Sequence, residues 1–511
     1  MQFSFPPASL REFDRQMADE GNGGLETLMC LAGRRVAEAA EEIRQARGDR
    51  KCAVLLVGKG NNGGDSLVAA RLLHADDWNL QVVLVCLPHD LSELPKSMFA
   101  LLPEAIRQSA VIAEKNLQHI DTKDTIIIDG LLGTGFNGQM PREPLASLIR
   151  QANASHRPIL AIDIPSGLNG ETGEAELCIQ ATATVCLCAV KTGLLVNQGI
   201  ASAGRLIPAP LPGQELLAGL PHGPAVFGKA EARELVPQIA FDAHKFQRGM
   251  VSVLGGSRQY GGAPLLSGTA ALHAGAGLVQ VLLPQNCEVF CAAPQALIVQ
   301  RLPDDGAGHF TATALPALQT GLARSAAIAV GPGMTSHPDI LPVLAEVLGM
   351  DKPLVLDADA LNLLATCPAL LHPKHAAEIV LTPHTGEFAR LQKAFDLTTT
   401  GDRAQDALAL AQRTSCVVVL KGARTIVASP DGSFSYNLSG CPALATAGSG
   451  DILTGVIAAL LANGLPSYDA ARLGVWLHGA AAERATRPGS PVGIIADDLP
   501  RLIATTLAEL Y

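Results

Sequence analysis

Short apolar runs, each spilling into a glycine-rich or oxygen-bearing segment and then into a helical pattern, recur along this chain, and few architectures accommodate so many. Cys52 to Val57 passes into Gly58-Lys59-Gly60-Asn61-Asn62-Gly63-Gly64-Asp65 and then the helical pattern Ser66 to Leu73. Leu80 to Leu87 is a further run, Thr125 to Ile128 ends in Asp129-Gly130, and Ile159 to Ile162 ends in Asp163-Ile164-Pro165-Ser166-Gly167. Continuous apolar runs suit strands buried on both faces, and their alternation with helices builds a parallel sheet. Loops leaving the carboxyl ends of such strands gather at one edge, where open sheets bind ligands.

The pattern resumes later in the chain. Gly249 to Leu254 leads to Gly255-Gly256-Ser257 and Tyr260-Gly261-Gly262-Ala263, then to a helix from Pro264 to His273. Leu278 to Leu283, Ala326 to Val330, Pro353 to Leu356, Glu378 to Leu381 and Val417 to Leu420 continue the alternation. The last four are followed by Gly331-Pro332-Gly333, Asp357-Ala358-Asp359, Thr382-Pro383-His384-Thr385-Gly386-Glu387 and Lys421-Gly422-Ala423-Arg424-Thr425. Between the two series, Pro208 to Pro224 is dense in proline and glycine and lacks periodicity, so it reads as a linker. We therefore expect an α/β chain with two domains, 1–215 and 219–511, although a length prior alone suggests about three. Ahead of the first strand, Ser9 and Glu12 have capping-box spacing for a helix through Ala18, and Leu25 to Arg47 reads as a second helix.

Composition narrows the partners. Hydrophobic residues make up 48% and charged residues 17%, the balance of a well-buried globular protein. The net charge of −10, with 38 basic residues against 48 acidic and no basic block, argues against nucleic acid and anionic membrane. No apolar run reaches the roughly 18 residues of a membrane span, and the start reads as having no export leader. Eleven cysteines without a CxxC pair suit a reducing cytoplasm, with Cys186 and Cys188 alternating in an apolar strand as core residues.

Two sets of residues point to chemistry. Near the carboxyl end, Gly448-Ser449-Gly450-Asp451 directly precedes the uncharged apolar run Ile452 to Leu461. A glycine turn opening a helix presents unpaired N–H groups and a partial positive charge, which suits phosphate. A carboxylate there repels phosphate unless it has work to do, and a general base is the obvious work; a plain helix cap is the competing reading, and the local sequence leaves both open. In the first half, Asn62, Asp129 and Ser166 offer amide, carboxylate and hydroxyl oxygens at strand ends, hard ligands better matched to a simple cation than to zinc or iron.

GKGNNGGD, DGLLGTGFNGQ and DIPSGLNG, in this order over residues 1 to about 210, resemble the YjeF N-terminal family, epimerases of hydrated NADH and NADPH with a Rossmann-like three-layer fold. The resemblance implies that Asn61, Asn62, Gly63, Gly64, Asp65, Gly133, Thr134, Gly135, Phe136, Asn137, Gly138, Gln139 and Asp163 hold the hydrated nucleotide. It also implies K+ at Asn62, Asp129 and Ser166, and a lysine near that site at Lys191. Inverting a carbon next to the ring nitrogen needs an acid and a base, with Asp163 the first candidate. The chain departs from the family at Ser66, where glycine is usual.

Residues 225 to 511 resemble the ribokinase-like fold, specifically the nucleotide-dependent dehydratases of hydrated NAD(P)H, the YjeF C-terminal family. The motifs are GGS, YGGA, GAG, GPG, DADALN, TPHTGE, KGART and GSGD. This implies Ala263, Gly333, His384 and Asp451 at the hydrated nicotinamide, and Lys421, Gly422, Ala423, Arg424, Thr425 and Gly450 at ADP or ATP. Asp451 would deprotonate the ring hydroxyl, which takes the terminal phosphoryl group and then leaves as phosphate, Mg2+ assisting. Phe246 and Ala447 stand where the family usually has glycine. Hydrated NADH or NADPH and an adenine nucleotide are thus the expected partners, and a homo-oligomer the expected assembly. A kinase that retains its phosphorylated product, and a first domain reduced to binding, are the rival classes.

Overall fold

The computed structural model describes residues 2–19, 24–113, 125–289, 291–371, 378–486, 490 and 492–511. It divides between Ala225 and Val226 into two compact units. The division falls later than the 215–219 boundary expected from composition. The cause is packing: within the proline- and glycine-rich stretch, Leu211 and Leu217 are buried in the first unit's core, and Ser9 Oγ donates to Pro221 O at 2.6 Å. That bond also removes the expected capping box, because the first helix begins earlier, at Pro7, and Glu12 is taken by Arg15.

The first unit is built on a parallel sheet of β1 (Cys52–Val57), β2 (Asn79–Leu84), β3 (Val111–Ile112), β4 (Ile126–Gly130), β5 (Ile159–Ile162), β6 (Ala183–Leu187) and β7 (Arg205–Ala209). Their order is β3-β2-β1-β4-β5-β6-β7. The direction of winding reverses between β1 and β4, which pair in register from Ala53 with Ile126 to Val57 with Gly130. Helix α1 (Gly24–Arg47) lies against α2 (Asn61–Ala75), and Gly33 allows the approach, since a Cβ there would sit 2.4 Å from Val68 Cβ. Two expectations shift. Asn61 to Asp65 form the first turn of α2 rather than a loop, and Asp129 and Gly130 still belong to β4.

The second unit contains β8 (Met250–Leu254), β9 (Leu278–Pro284), β10 (Ile298–Leu302), β11 (Ala327–Val330), β12 (Leu354–Leu356), β13 (Ile379–Leu381), β14 (Val417–Leu420), β15 (Ile426–Ala428) and β16 (Phe434–Asn437). They lie in the order β16-β15-β14-β13-β12-β11-β8-β9-β10. Pairing is parallel from β10 to β14 and antiparallel through β15 and β16. Winding reverses between β8 and β11, and α4 (Ala358–Thr366) follows β12. The uncharged run expected to be a buried helix is α5 (Ser449–Ala462), with Ile452 through Leu461 all buried. It lies on α2's counterpart α3 (Gly262–His273) so closely that a Cβ on Gly455 would meet Ser267 O at 1.9 Å. Among the described residues no helix is long and apolar enough to cross a membrane.

Candidate active sites

In the first unit a cavity of about 550 Å³ opens where the sheet reverses its winding. Its wall includes Asn61, Asn62 and Asp65 from the start of α2, and Gly133, Thr134, Gly135 and Phe136 from the loop after β4. Asp163 and Lys191 close it from the ends of β5 and β6. Other expected contacts serve the backbone. A side chain on Gly63 would lie 2.1 Å from Gly58 O, and one on Gly64 2.5 Å from Met29 Sδ. Asn137 O accepts from Asn169 Nδ2 at 3.1 Å, Gly138 takes φ +85° and accepts from Glu176 N, and Gln139 N donates to Asn137 Oδ1 at 3.3 Å.

Asp163 sits in left-handed backbone, φ +66°, a conformation that a non-glycine residue holds only when its surroundings impose it. Its surroundings hold it on both sides: Asp163 N donates to Val185 O at 2.8 Å, and Oδ1 accepts from Leu187 N at 3.1 Å and is in direct ion-pair contact with Lys191, buried to 1% exposure. The same ammonium donates to Leu187 O at 2.7 Å and Ala189 O at 3.0 Å. Burial raises the Asp163 carboxyl against the opposing pull of Lys191. Asp14, on the first helix and unremarked in the sequence, lines the same cavity and is pushed up to about 6 by burial and the Asp163 charge. Asp65 is raised well above the carboxylate range by burial, Asp163 and Asp14. Three carboxyls therefore share one enclosure with the buried Lys191, Arg11 and Lys59 also lining it, an arrangement that holds a proton on one acid beside an ionised neighbour.

The three expected cation ligands come together around one peptide. Ser166 Oγ donates to Asp129 Oδ1 at 2.6 Å and accepts from Leu132 N at 2.8 Å, while Asn62 Nδ2 donates to Leu132 O at 3.0 Å. Asp129, fully buried, is pushed up to about 6 by that burial, opposed by bonds from Ser166 and Leu131. An all-oxygen set holding a buried carboxylate without a basic partner fits a weakly charged hard cation such as K+. Ser66 is buried against Gly130 and its hydroxyl has no hydrogen-bond partner among the described residues, so the departure at this position falls on packing.

In the second unit Gly448 caps α5 in left-handed backbone, φ +86°, and Ala447 is not required to adopt it. Asp451 lies in the first turn of α5, its carbonyl accepting from Ser267 Oγ at 2.7 Å. Ser267 also donates to Ala263 O at 3.4 Å, and a Cβ on Gly333 would lie 3.3 Å from Ala263 Cβ, so Ala263, Gly333 and Asp451 converge. The Asp451 carboxyl is pushed up to about 7 by burial and by Asp357, with Asp359 and Glu387 adding to the rise and Lys421 opposing it.

Lys421, expected at the nucleotide, is held by two carboxylates of the second unit. Its Nζ lies 2.7 Å from Asp357 Oδ1 and 3.9 Å from Glu387 Oε2. Asp357 also accepts from Thr382 Oγ1 and Thr454 Oγ1, both at 2.8 Å. Asp357 and Asp359 do not point the same way: Asp357 caps the helix Ala358–Thr366 and faces Lys421, whereas Asp359 accepts from Thr335 N at 2.8 Å. Gly450 completes this corner, since a Cβ there would be 3.5 Å from Lys421 Nζ. His384 caps the helix Thr385–Ala394, Nδ1 accepting from Gly386 N, with Nε2 3.3 Å from Glu387 Oε1. Burial and Lys421 hold His384 below the usual imidazole range. The rest of the Lys421 loop turns sharply, with Gly422 at φ +148° and Arg424 at φ +52°, Ala423 O accepting from Arg403 and Thr425 Oγ1 bonding back to Gly422 O. Asp357, Thr382, Glu387 and Thr454 are members to which the sequence gives no role; for Glu387 the capping spacing from His384 is the available signal.

Two family models match the chain, "YjeF-related protein N-terminus" over residues 25–193 and "NAD(P)H-hydrate dehydratase" over residues 251–504. A bifunctional NAD(P)H-hydrate repair enzyme of Moorella thermoacetica is 37% identical, covering 98% of this chain and 96% of its own. The chain belongs to the bifunctional NAD(P)H-hydrate repair enzyme family. The Escherichia coli member is 36% identical over 96% of this chain and 91% of its own. A solved ADP/ATP-dependent NAD(P)H-hydrate dehydratase of Bacillus subtilis, crystallised with ATP and Mg2+, is 28% identical with a TM-score of 0.45, covering 57% of this chain and 99% of its own.

Proposed function

We propose that this chain repairs hydrated NADH and NADPH, the first unit interconverting the R and S hydrates and the second restoring the dihydronicotinamide from the S form with ADP or ATP. The observation that carries the reading is Asp451, a carboxyl pushed up to about 7 at the amino end of α5. A base with that affinity takes a proton from an alcohol near neutral pH and still returns it. The freed ring oxygen attacks the terminal phosphorus, and the first-turn N–H groups of α5 stabilise the charge gathering on the transferred group. Loss of phosphate from the ring, followed by loss of the proton on the neighbouring ring carbon to solvent, then regenerates the ring double bond of the reduced nicotinamide, phosphate being a far better leaving group than water. Lys421, clamped by Asp357 and Glu387, acts on this turn as a fixed positive charge. Mg2+ would arrive on the nucleotide phosphates, keeping part of its water shell, because the Asp357 oxygens are already engaged.

In the first unit, Asp163 and Lys191 supply base and cation at the cavity wall, and the raised Asp65 or Asp14 supplies the acid that inversion also needs. K+ would be held by Asn62, Asp129 and Ser166 and would fix the Leu132 peptide beside the substrate. The same reading places the protein in the cytoplasm as a homo-oligomer. The test supplies hydrate and ADP or ATP to the parent and to Asp451→Asn, following the near-ultraviolet absorbance of the reduced nicotinamide. The parent restores the signal and the variant does not; equal recovery by both removes Asp451 from the chemistry.

A further inference from the structure

Outside both sites, two imidazoles and a carboxylate of the second unit face one another. His309 lies in the loop after β10, and His337 and Asp339 lie in the loop after β11, where His337 caps the short turn Pro338–Ile340. One ligand atom from each residue falls within 4.8 Å of the others. His309 Nε2 is 3.6 Å and His337 Nδ1 is 3.4 Å from Asp339 Oδ2, and the two rings are 4.3 Å apart between centroids. A tetrahedral ion with metal–nitrogen bonds of about 2.0–2.1 Å separates its ligand atoms by roughly 3.3–3.4 Å, so these gaps are close to the edges of such a tetrahedron. His309 Nε2 is buried and, among the described residues, has no hydrogen-bond partner, the condition of a nitrogen aimed at something other than protein. The one bond His337 Nδ1 makes, from Asp339 N at 3.3 Å, is long and replaceable.

We propose that His309, His337 and Asp339 form a binding site for a borderline divalent transition-metal ion of the zinc and cobalt class, with water in the fourth position. Two imidazoles and one carboxylate select such an ion over Mg2+ or K+, which prefer oxygen alone. The ion would join two loops that frame the dehydratase site. The loop bearing His337 also carries Gly333 and is anchored by Thr335 N to Asp359 at 2.8 Å. The loop bearing His309 accepts from Arg258 N at Gly308 O, 2.6 Å, and so is tied to the segment that ends in Tyr260 and packs on Gly333. Bound metal therefore latches the rim without touching the reacting atoms.

The test titrates the tag-free full chain with Co2+ and follows visible absorption, with Zn2+ competition and thermal unfolding alongside. The expected result is one Co2+ per chain with a nitrogen and oxygen ligand field, no thiolate charge-transfer band, displacement by Zn2+ and a raised unfolding temperature. His309→Ala and Asp339→Asn should each weaken binding at least tenfold while dehydration measured with Mg2+ but without Co2+ or Zn2+ is unchanged. Should His309→Ala fail to fold, exposed His337→Gln replaces it. Absence of stoichiometric uptake, a thiolate band, or uptake that survives these substitutions overturns the proposal, and none of these outcomes bears on the repair reaction itself.

Discussion

Each unit presents one candidate catalytic aspartate, Asp163 directly after β5 and Asp451 in the first turn of α5, and the two are surrounded in opposite ways. Asp163 touches its lysine directly, in the wall of a cavity and in left-handed backbone. Asp451 stands near a lysine already claimed by Asp357, on a regular helix. In both, burial is the leading cause of a raised proton affinity, but only at Asp163 is an ammonium in contact to oppose it. The contrast suits two tasks. Inversion at carbon needs an acid and a base held together, whereas phosphoryl transfer needs one base that stays clear of cations until the hydroxyl arrives.

The largest way to break this contrast is to remove each centre alone. Asp451→Asn should cost dehydration about 10²–10⁴-fold, the range for a general base, and leave epimer exchange intact in a stereochemical assay. Loss of both activities together would mean that the two centres are not independent. Lys191→Met should abolish most epimer exchange and destabilise the first unit by about 3–5 kcal/mol, because it strands a buried carboxylate; denaturant midpoints followed by a probe in that unit check this.

Acidity sharpens the contrast further. Asp451 works ionised, so dehydration should fall as pH drops through about 7. Asp357→Asn removes a negative neighbour and loosens Lys421, moving that limb to lower pH. The stability sign is the reverse of a salt-bridged aspartate: ionising a group raised in the folded state opposes folding, a penalty absent below the ordinary carboxylate range and complete above about 7. Asp451→Asn should therefore unfold later than the parent at pH 8 and not at pH 4. The smallest effect is expected at the turn itself. Gly448→Ala should cost about 1–2 kcal/mol from left-handed backbone alone, with the close Leu266 and Ala496 contacts adding to it; thermal unfolding measures the difference.

Apolar runs such as Ile159 to Ile162 and Val417 to Leu420 were legible to the residue, because strands buried on both faces carry their signal in composition alone. Ile298–Leu302 was not, since this edge strand is largely exposed and alternates no clear apolar face. The glycine-rich stretch at Asn61 hid a helix start, polar residues being common to both conformations. Of the candidate sites, the loops were legible and the pairings were not. Nothing in the order of residues says that Lys421 bonds Asp357, 64 positions away, or that Asp14 from the first helix joins Asp163 in one cavity. Cys188, read as core from its alternation with Cys186, lies past the end of β6 and lines that cavity.

The seam between α3 and α5 sets what a bound nucleotide can rearrange. Because Gly455 lets one helix rest on the other's backbone at Ser267, and that serine holds the carbonyl of Asp451, tilting the base means prising apart two helices whose facing residues exclude water. Ligand arrival must adapt through the surrounding loops while the carboxyl keeps its bearing, and a mutation deep in that seam would misalign chemistry it never touches.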